Sequence, residues 1–284
     1  MKPVPTDYHK QHVRESICYY VVMEFGLKVA LSFFVGGAYV SGILWFSERL
    51  GSRIGGAIAG IPSTLFISLA FISVTEGSKA ARSATTIIPI MIVAALFYGW
   101  IFIQVASLYK TARRHLWATI GATLAWLLVS VGIRALFSGV NFAYIVLAAV
   151  IGIGAFYAYF RRFPPVQPKK ISLPHAIYVT RFLTAGLVIA GAVLAARLLG
   201  PLWGGVVSSF PATIASSLYF LNKSQGCAFT KSFVRHLPFA FVSTILFIIV
   251  LHQTLTRMPT FASFAIGMAS ALAYTYGLVS LKQR

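Results

Sequence analysis

Apolar residues in this chain come in nearly continuous runs of about twenty, the length that crosses a hydrocarbon core, and short polar stretches separate them. The runs fall near 26–46, 54–75, 85–107, 115–137, 141–160, 177–197, 203–222, 235–255 and 261–281. A segment in lipid has to satisfy its own backbone polar groups, so each run predicts a transmembrane helix. The pattern therefore predicts an all-α polytopic membrane protein of nine spans. Ahead of them, Met1 to Arg14 is polar and Val13 to Phe25 (VRESICYYVVMEF) reads either as an interfacial half-helix, the reading favoured here, or as an early start to the first span, so residues 1–25 are taken together as a tail. The first apolar run is long enough to span, which predicts a retained helix and no cleaved signal. Between the fifth and sixth spans, Arg161 to His175 (RRFPPVQPKKISLPH) holds three prolines before Lys169, and no helix runs through it.

The chain also repeats itself. Leu50 to Thr64, LGSRIGGAIAGIPST, returns as Leu199 to Thr213, LGPLWGGVVSSFPAT, at an offset of 149 residues with no gap. The same offset pairs Phe33 with Phe182, Gly37 with Gly186, Pro62 with Pro211, Ser68 with Ser217, Gly77 with Gly226, Pro89 with Pro238 and Gln104 with Gln253. Shared Gly, Pro, Ser and Gln over that distance read as a duplication. The domains that follow are a first four-span repeat at 26–137, a linker span at 141–160, a polar connector at 161–176 and a second four-span repeat at 177–284. Each helix is then five spans from its mate, an odd number, so mates run in opposite directions and the repeats are expected to be inverted.

Charge tests that expectation. With the N-terminus outside, the cytoplasmic segments carry Arg49, Arg53, Lys110, Arg113, Arg114, Arg161, Arg162, Lys169, Lys170, Lys223, Lys231, Arg235, Lys282 and Arg284. Beyond the tail, the outer segments carry Lys79, Arg82, Arg134, Arg197 and Arg257. This bias predicts N-out and C-in, although Lys2, Lys10 and Arg14 in the tail pull the other way. Composition agrees with the class: 58% of residues are hydrophobic, 10% are charged and the mean hydropathy is +0.82. A net charge of +19 would suggest nucleic acid in a soluble chain. Here the cations sit between apolar runs, so orientation and contact with anionic lipid explain them. Membrane lipid, a small-molecule substrate and a second copy of the chain are the partners this leaves, and nucleic acid is not among them. Cys18 and Cys227 form no metal or redox motif, and no cofactor is expected.

Pro62 and Pro211 fall in mid-span, where proline removes one backbone hydrogen bond and clashes with the preceding turn, so the helix kinks or opens. Paired mid-span breaks in inverted repeats are where transporters of this build hold substrate. Ser63, Thr64 and Ser68, with Thr213 and Ser217, are the candidate substrate contacts beside the two prolines; Ser208, Ser209 and Ser216 add hydroxyls for freed backbone groups. The competing reading is plain helix packing by small residues, which Gly55, Gly56, Gly204 and Gly205 fit best. Gln104 and Gln253 form a second repeated polar pair, read either as interhelical hydrogen bonds or as a gate or ligand contact.

Acids narrow the substrate. Asp7, Glu15, Glu24, Glu48 and Glu76 are the full set, all in the tail or near span ends. Exchange of a cation for protons needs a carboxylate within the membrane, where an ionised group costs about 2.5–3.5 kcal/mol or more. None is available, so a neutral or anionic solute is expected. Lys28, Arg181, Arg197 and His236 lie close to or inside span ends, where they bind anions or snorkel to the interface. Enzyme motifs with HExxH, GxSxG or P-loop spacing are missing, the six histidines are scattered, and no enzymatic activity is expected. Belt positions explain some of Trp45, Trp100, Trp117, Trp126 and Trp203.

Each repeat, with Leu50, Gly51, Gly55, Gly56, Pro62 and Thr64 or their mates, resembles the small GlpM-like bacterial membrane proteins over about residues 26–137 and 177–284. The resemblance implies a fused duplicate of a small protein that otherwise pairs with itself, in a prokaryotic cytoplasmic membrane. It implies no substrate and no site residue. The expected function is a small secondary transporter or exporter working by alternating access about the broken second and seventh helices. A lipid flippase or scramblase and a non-transporting scaffold or assembly factor are the alternatives.

Overall fold

A computed structural model describes residues 6–49, 62–109, 113–167 and 176–281 of the chain. The described residues are helical and contain no strand. The helices are α1 (Thr6–Arg49), α2 (Ser63–Glu76), α3 (Ser78–Leu108), α4 (Arg114–Leu136), α5 (Phe142–Phe160) and α6 (Ala176–Leu199). They continue with α7 (Pro201–Ser208), α8 (Ala212–Gln225), α9 (Cys227–Val234), α10 (Leu237–Thr254) and α11 (Thr260–Leu281). Among the described residues, eight stretches are long and apolar enough to cross a membrane, with α7–α8 and α9–α10 each counted as one. The protein is thus an all-α chain of the integral membrane kind. The expected span at 54–75 is described only in its second half, as α2, because residues 50–61, with the first copy of the glycine motif, lie outside the described residues.

Two differences from the sequence pattern have physical reasons. The short interfacial helix expected at 13–25 does not separate from the first span: α1 runs unbroken through Phe25 for 44 residues. Nothing at that point stops a helix, since Gly26 alone costs only about 1 kcal/mol relative to Ala and no proline follows. The third span begins at Ser78, ahead of its apolar run, because Lys79 and Arg82 occupy polar first turns that hydropathy does not score as membrane.

The offset of 149 recurs in the backbone. Ser63 and Glu76 bound α2 while Ala212 and Gln225 bound α8, both 14 residues long. Gly77 (φ 89°, ψ 162°) and Gly226 (φ 86°, ψ 176°) then turn the chain into α3 and α9. Only glycine takes that backbone without strain, which is why the next helix can start at once.

Helices at equivalent positions pack against each other. A methyl group built on Gly37 would lie 2.7 Å from the Phe182 carbonyl oxygen, and one on Gly186 would lie 2.8 Å from that of Phe33. Phe33 and Phe182 meet edge to face at 5.8 Å. Further along, Ser41 Oγ donates to the Tyr178 carbonyl at 3.4 Å, and at the opposite end Arg197 lies over the Phe25 ring. As α1 ascends, its contacts descend α6, so the two helices are antiparallel. The same holds for α3 and α10: Arg82 Nε donates to the His252 carbonyl at 2.8 Å, while Gly99 faces Val234 and Leu237 near the start of α10.

α3 is the central helix, largely buried, and packs against α2, α4, α5, α7 and α10. Its apolar positions Ile88, Met91, Leu96, Tyr98 and Phe102 are fully enclosed. α5, between the two halves of the chain, presents Tyr144, Leu147, Val150 and Ile151 outward, as a lipid-facing helix does. The helix ends fall into two groups. One joins Arg235 to the Phe163 carbonyl (3.0 Å), the Val166 N–H to Ser232 (3.0 Å) and His115 to Tyr219 (4.8 Å between rings). The other joins Arg197 to Glu76 (3.2 Å) and stacks Phe142 on His252 (3.7 Å).

Candidate substrate site at the helix breaks

The seventh expected span opens at its proline. α7 ends at Ser208, Ser209 and Phe210 turn in 3₁₀ fashion with their N–H groups on the Val206 and Val207 carbonyls (both 3.1 Å), and α8 starts after Pro211. Pro211 caps α8 with φ −79° and ψ 57°. Pro62 caps α2 with φ −74° and ψ 57°, and both prolines are buried. Each carbonyl still accepts the first helical bond, from Phe66 at 2.8 Å and from Ala215 at 2.7 Å. Two positions 149 residues apart thus hold one unusual backbone geometry.

Serines repair the opening. In a continuous helix the Gly205 carbonyl would accept the Ser209 N–H, which here bonds Val206 instead. Gly205 O takes the Ser208 and Ser209 hydroxyls, at 2.9 and 2.7 Å. Losing both would leave a buried acceptor unpaired, a cost of about 1–3 kcal/mol. The double variant Ser208→Ala, Ser209→Ala should therefore unfold about 2–10 °C lower than the parent. Each single variant should lose less than half of that, because one hydroxyl suffices. Thermal unfolding of the three purified variants checks this.

Gly204 and Gly205 pack helices, the reading the sequence favoured for them. A methyl group on Gly204 would meet Ala196 and Ile72, and one on Gly205 would run into the Ala84 carbonyl of α3. Their mates Gly55 and Gly56 lie outside the described residues.

Aromatic rings wall both breaks. Phe66, one turn past Pro62, stacks on Tyr39 (5.8 Å) and meets Phe264 (5.3 Å) and Phe247 (6.2 Å). Phe210, next to Pro211, meets Trp126 (5.1 Å) and Tyr98 (6.2 Å) edge to face. Tyr98 and Phe247 are mates at the 149 offset, each set against the break of the other half. Trp126 is 3% exposed, so it is not a belt residue, and its Nε1 has no hydrogen-bond partner among the described residues. The Tyr98 hydroxyl lies near Thr123 without a bond of ordinary geometry. The apolar pattern gave no hint of this cluster, because Trp126 has Thr275 as its mate and so left no repeat signal.

The other candidates fall as follows. Ser63 is buried, and Thr64 and Thr213 are half-buried in the first turns of α2 and α8. Ser68 is fully buried with its hydroxyl unpartnered among the described residues. Ser216 Oγ donates back to the Thr213 carbonyl at 3.0 Å. Ser217 accepts from Arg181 Nη2 at 3.4 Å, which brings an arginine from α6 to the broken helix. Gln104 and Gln253 are exposed and lie on antiparallel helices at opposite ends of the molecule, so they do not form one site. Lys28 pairs with Glu24 (2.7 Å), Arg197 pairs with Glu76, and His236 is exposed between α9 and α10. No cluster of three or more His, Cys, Asp or Glu side chains occurs among the described residues. Comparison with known proteins finds no matching family model, no matching curated protein and no matching solved structure.

Proposed function

We propose that this chain is a small secondary transporter or exporter of a neutral or anionic solute. It is built as two inverted four-helix repeats around a linker helix, with Pro62 and Pro211 at the moving or substrate-contacting elements. The observation that carries the reading is the matched geometry of the two prolines that start α2 and α8, φ −74°, ψ 57° and φ −79°, ψ 57°, in buried positions 149 residues apart, with the helix visibly interrupted before Pro211. Support for inversion comes from the antiparallel course of α1 against α6 and of α3 against α10, each pair equivalent in sequence. Two apposed repeats of opposite direction supply the two nearly equivalent conformations that alternating access requires. The solute class follows from the acids: in the described spans Glu24 and Glu76 are the carboxylates, both near the ends of apolar stretches and both paired with cations. Orientation with the N-terminus outside places the Arg113, Arg114, Arg161 and Arg162 end in the cytoplasm.

The test is access by water. In a background free of Cys18 and Cys227, Thr64→Cys and Thr213→Cys should react with a membrane-impermeant thiol reagent added from one side or the other. Loop cysteines serve as controls for sidedness. Unreactive thiols at both positions in a folded protein would contradict transport and favour the scaffold alternative.

A further inference from the structure

Among the described residues one charged side chain is buried: Arg181, at 7% exposure. A snorkelling arginine carries its guanidinium out to the interface, whereas protein encloses this one. It stands in the second turn of α6, on the stretch that crosses α1, and its Nη2 donates to Ser217 Oγ on α8. Ser217 lies about one and a half turns beyond the Pro211 break.

The charge is confined to one half of the molecule. The mate of Arg181 is Ser32, whose hydroxyl bonds its own helix at the Val29 carbonyl (2.7 Å). The mate of Ser217 is Ser68, wholly buried with its hydroxyl unpartnered among the described residues. Two equivalent serines therefore sit about one and a half turns past the two prolines, and one of them has a guanidinium delivered to it. A guanidinium inside a span is costly and marks a substrate or ion path by default. Its planar fork matches carboxylate and phosphate oxygens in pairs, which an ammonium cannot do.

We propose that Arg181, with Ser217, recognises the anionic group of the solute, a small carboxylate or phosphate-type oxyanion. The assignment rests on the transport reading and narrows it from neutral or anionic to anionic. Ser217 orients the fork.

Thermal unfolding of the purified full-length protein in non-ionic detergent tests it. The probes are sodium phosphate, sodium benzoate and short-chain phosphatidylglycerol, each at constant ionic strength. Saturating phosphate or benzoate should raise the unfolding temperature by about 2–4 °C. Arg181→Gln should raise the half-saturating concentration tenfold or more, and Arg181→Lys and Ser217→Ala by about two- to fivefold. A response to phosphatidylglycerol alone that fades in the same variants would keep the oxyanion site and assign it to a lipid headgroup. No response to any probe, or an undiminished one in Arg181→Gln, overturns the proposal. If Arg181→Gln does not fold, the other two variants decide, and unchanged half-saturation in both overturns it. Side-dependent labelling at positions 64 and 213 together with a null binding result would reject the anion site and leave transport standing.

Discussion

Replacing both crossing glycines, Gly37→Val with Gly186→Val, should abolish a monodisperse folded protein in detergent. At each position the new side chain would start less than 3 Å from the carbonyl oxygen of the facing phenylalanine, Phe182 or Phe33. Backbone atoms of a packed helix cannot step aside, so α1 and α6 must separate. Overpacking costs about 1–3 kcal/mol per site. Two such sites on one crossing approach the whole stability of an ordinary domain, about 5–15 kcal/mol. Gly26→Ala and Gly132→Ala are the controls, because a methyl group at either place meets nothing within 4 Å. Those variants should match or slightly exceed the parent, since Ala is the better helix former. Size-exclusion profiles and unfolding temperatures separate the outcomes. A double valine variant that behaves like the controls would remove the crossing from the account of the fold.

The second large effect concerns the prolines. Pro62→Ala with Pro211→Ala restores two backbone donors and removes two ring clashes, so α7 and α8 can join across Ser209 and Phe210. Thiols placed at positions 64 and 213 should then label at least tenfold more slowly than in the proline background. The unfolding temperature should stay level or rise, because an unbroken helix satisfies more of its own backbone. Function lost while stability is kept would mark the openings as working parts. Unchanged labelling rates would show that the hydroxyl-bearing turns are reached without the breaks, and the role given to the prolines would fall.

Much of this architecture was legible because glycine and proline act locally. Pro62 and Pro211 mark helix starts in the folded chain, and Gly77 and Gly226 mark the turns after α2 and α8. What escaped was information that only neighbours supply. Hydropathy places Arg181 near a span end, where an arginine snorkels, and nothing in its own helix says that α8 encloses it. Trp126 falls in mid-span, where belt position explains nothing, and its packing partner emerges only when Phe210 is seen against it. Gln104 and Gln253 look like a matched pair, yet equivalent residues near the ends of antiparallel helices must lie far apart. The continuity of α1 through Phe25 escaped for a different reason: polarity shows where a helix leaves the membrane, and only a breaker shows where it stops.

The glycine crossing also sits off centre. Measured along α1 from midway between Phe33 and Gly37, it is about 15 Å from Phe25, under the Arg197 guanidinium, and about 9 Å from Ser41, beside the Tyr178 carbonyl. A tight contact of backbone on backbone serves as a fulcrum, and the helices on it are levers of unequal arm. Scissoring them by about 10° would swing the long arms by about 2.5 Å and the short arms by about 1.5 Å. The Phe25 ring under the Arg197 guanidinium is held at a long tip and would slide from beneath it, while the Ser41 contact would stretch less. One modest rotation thus loosens α1 from α6 more at one end than at the other.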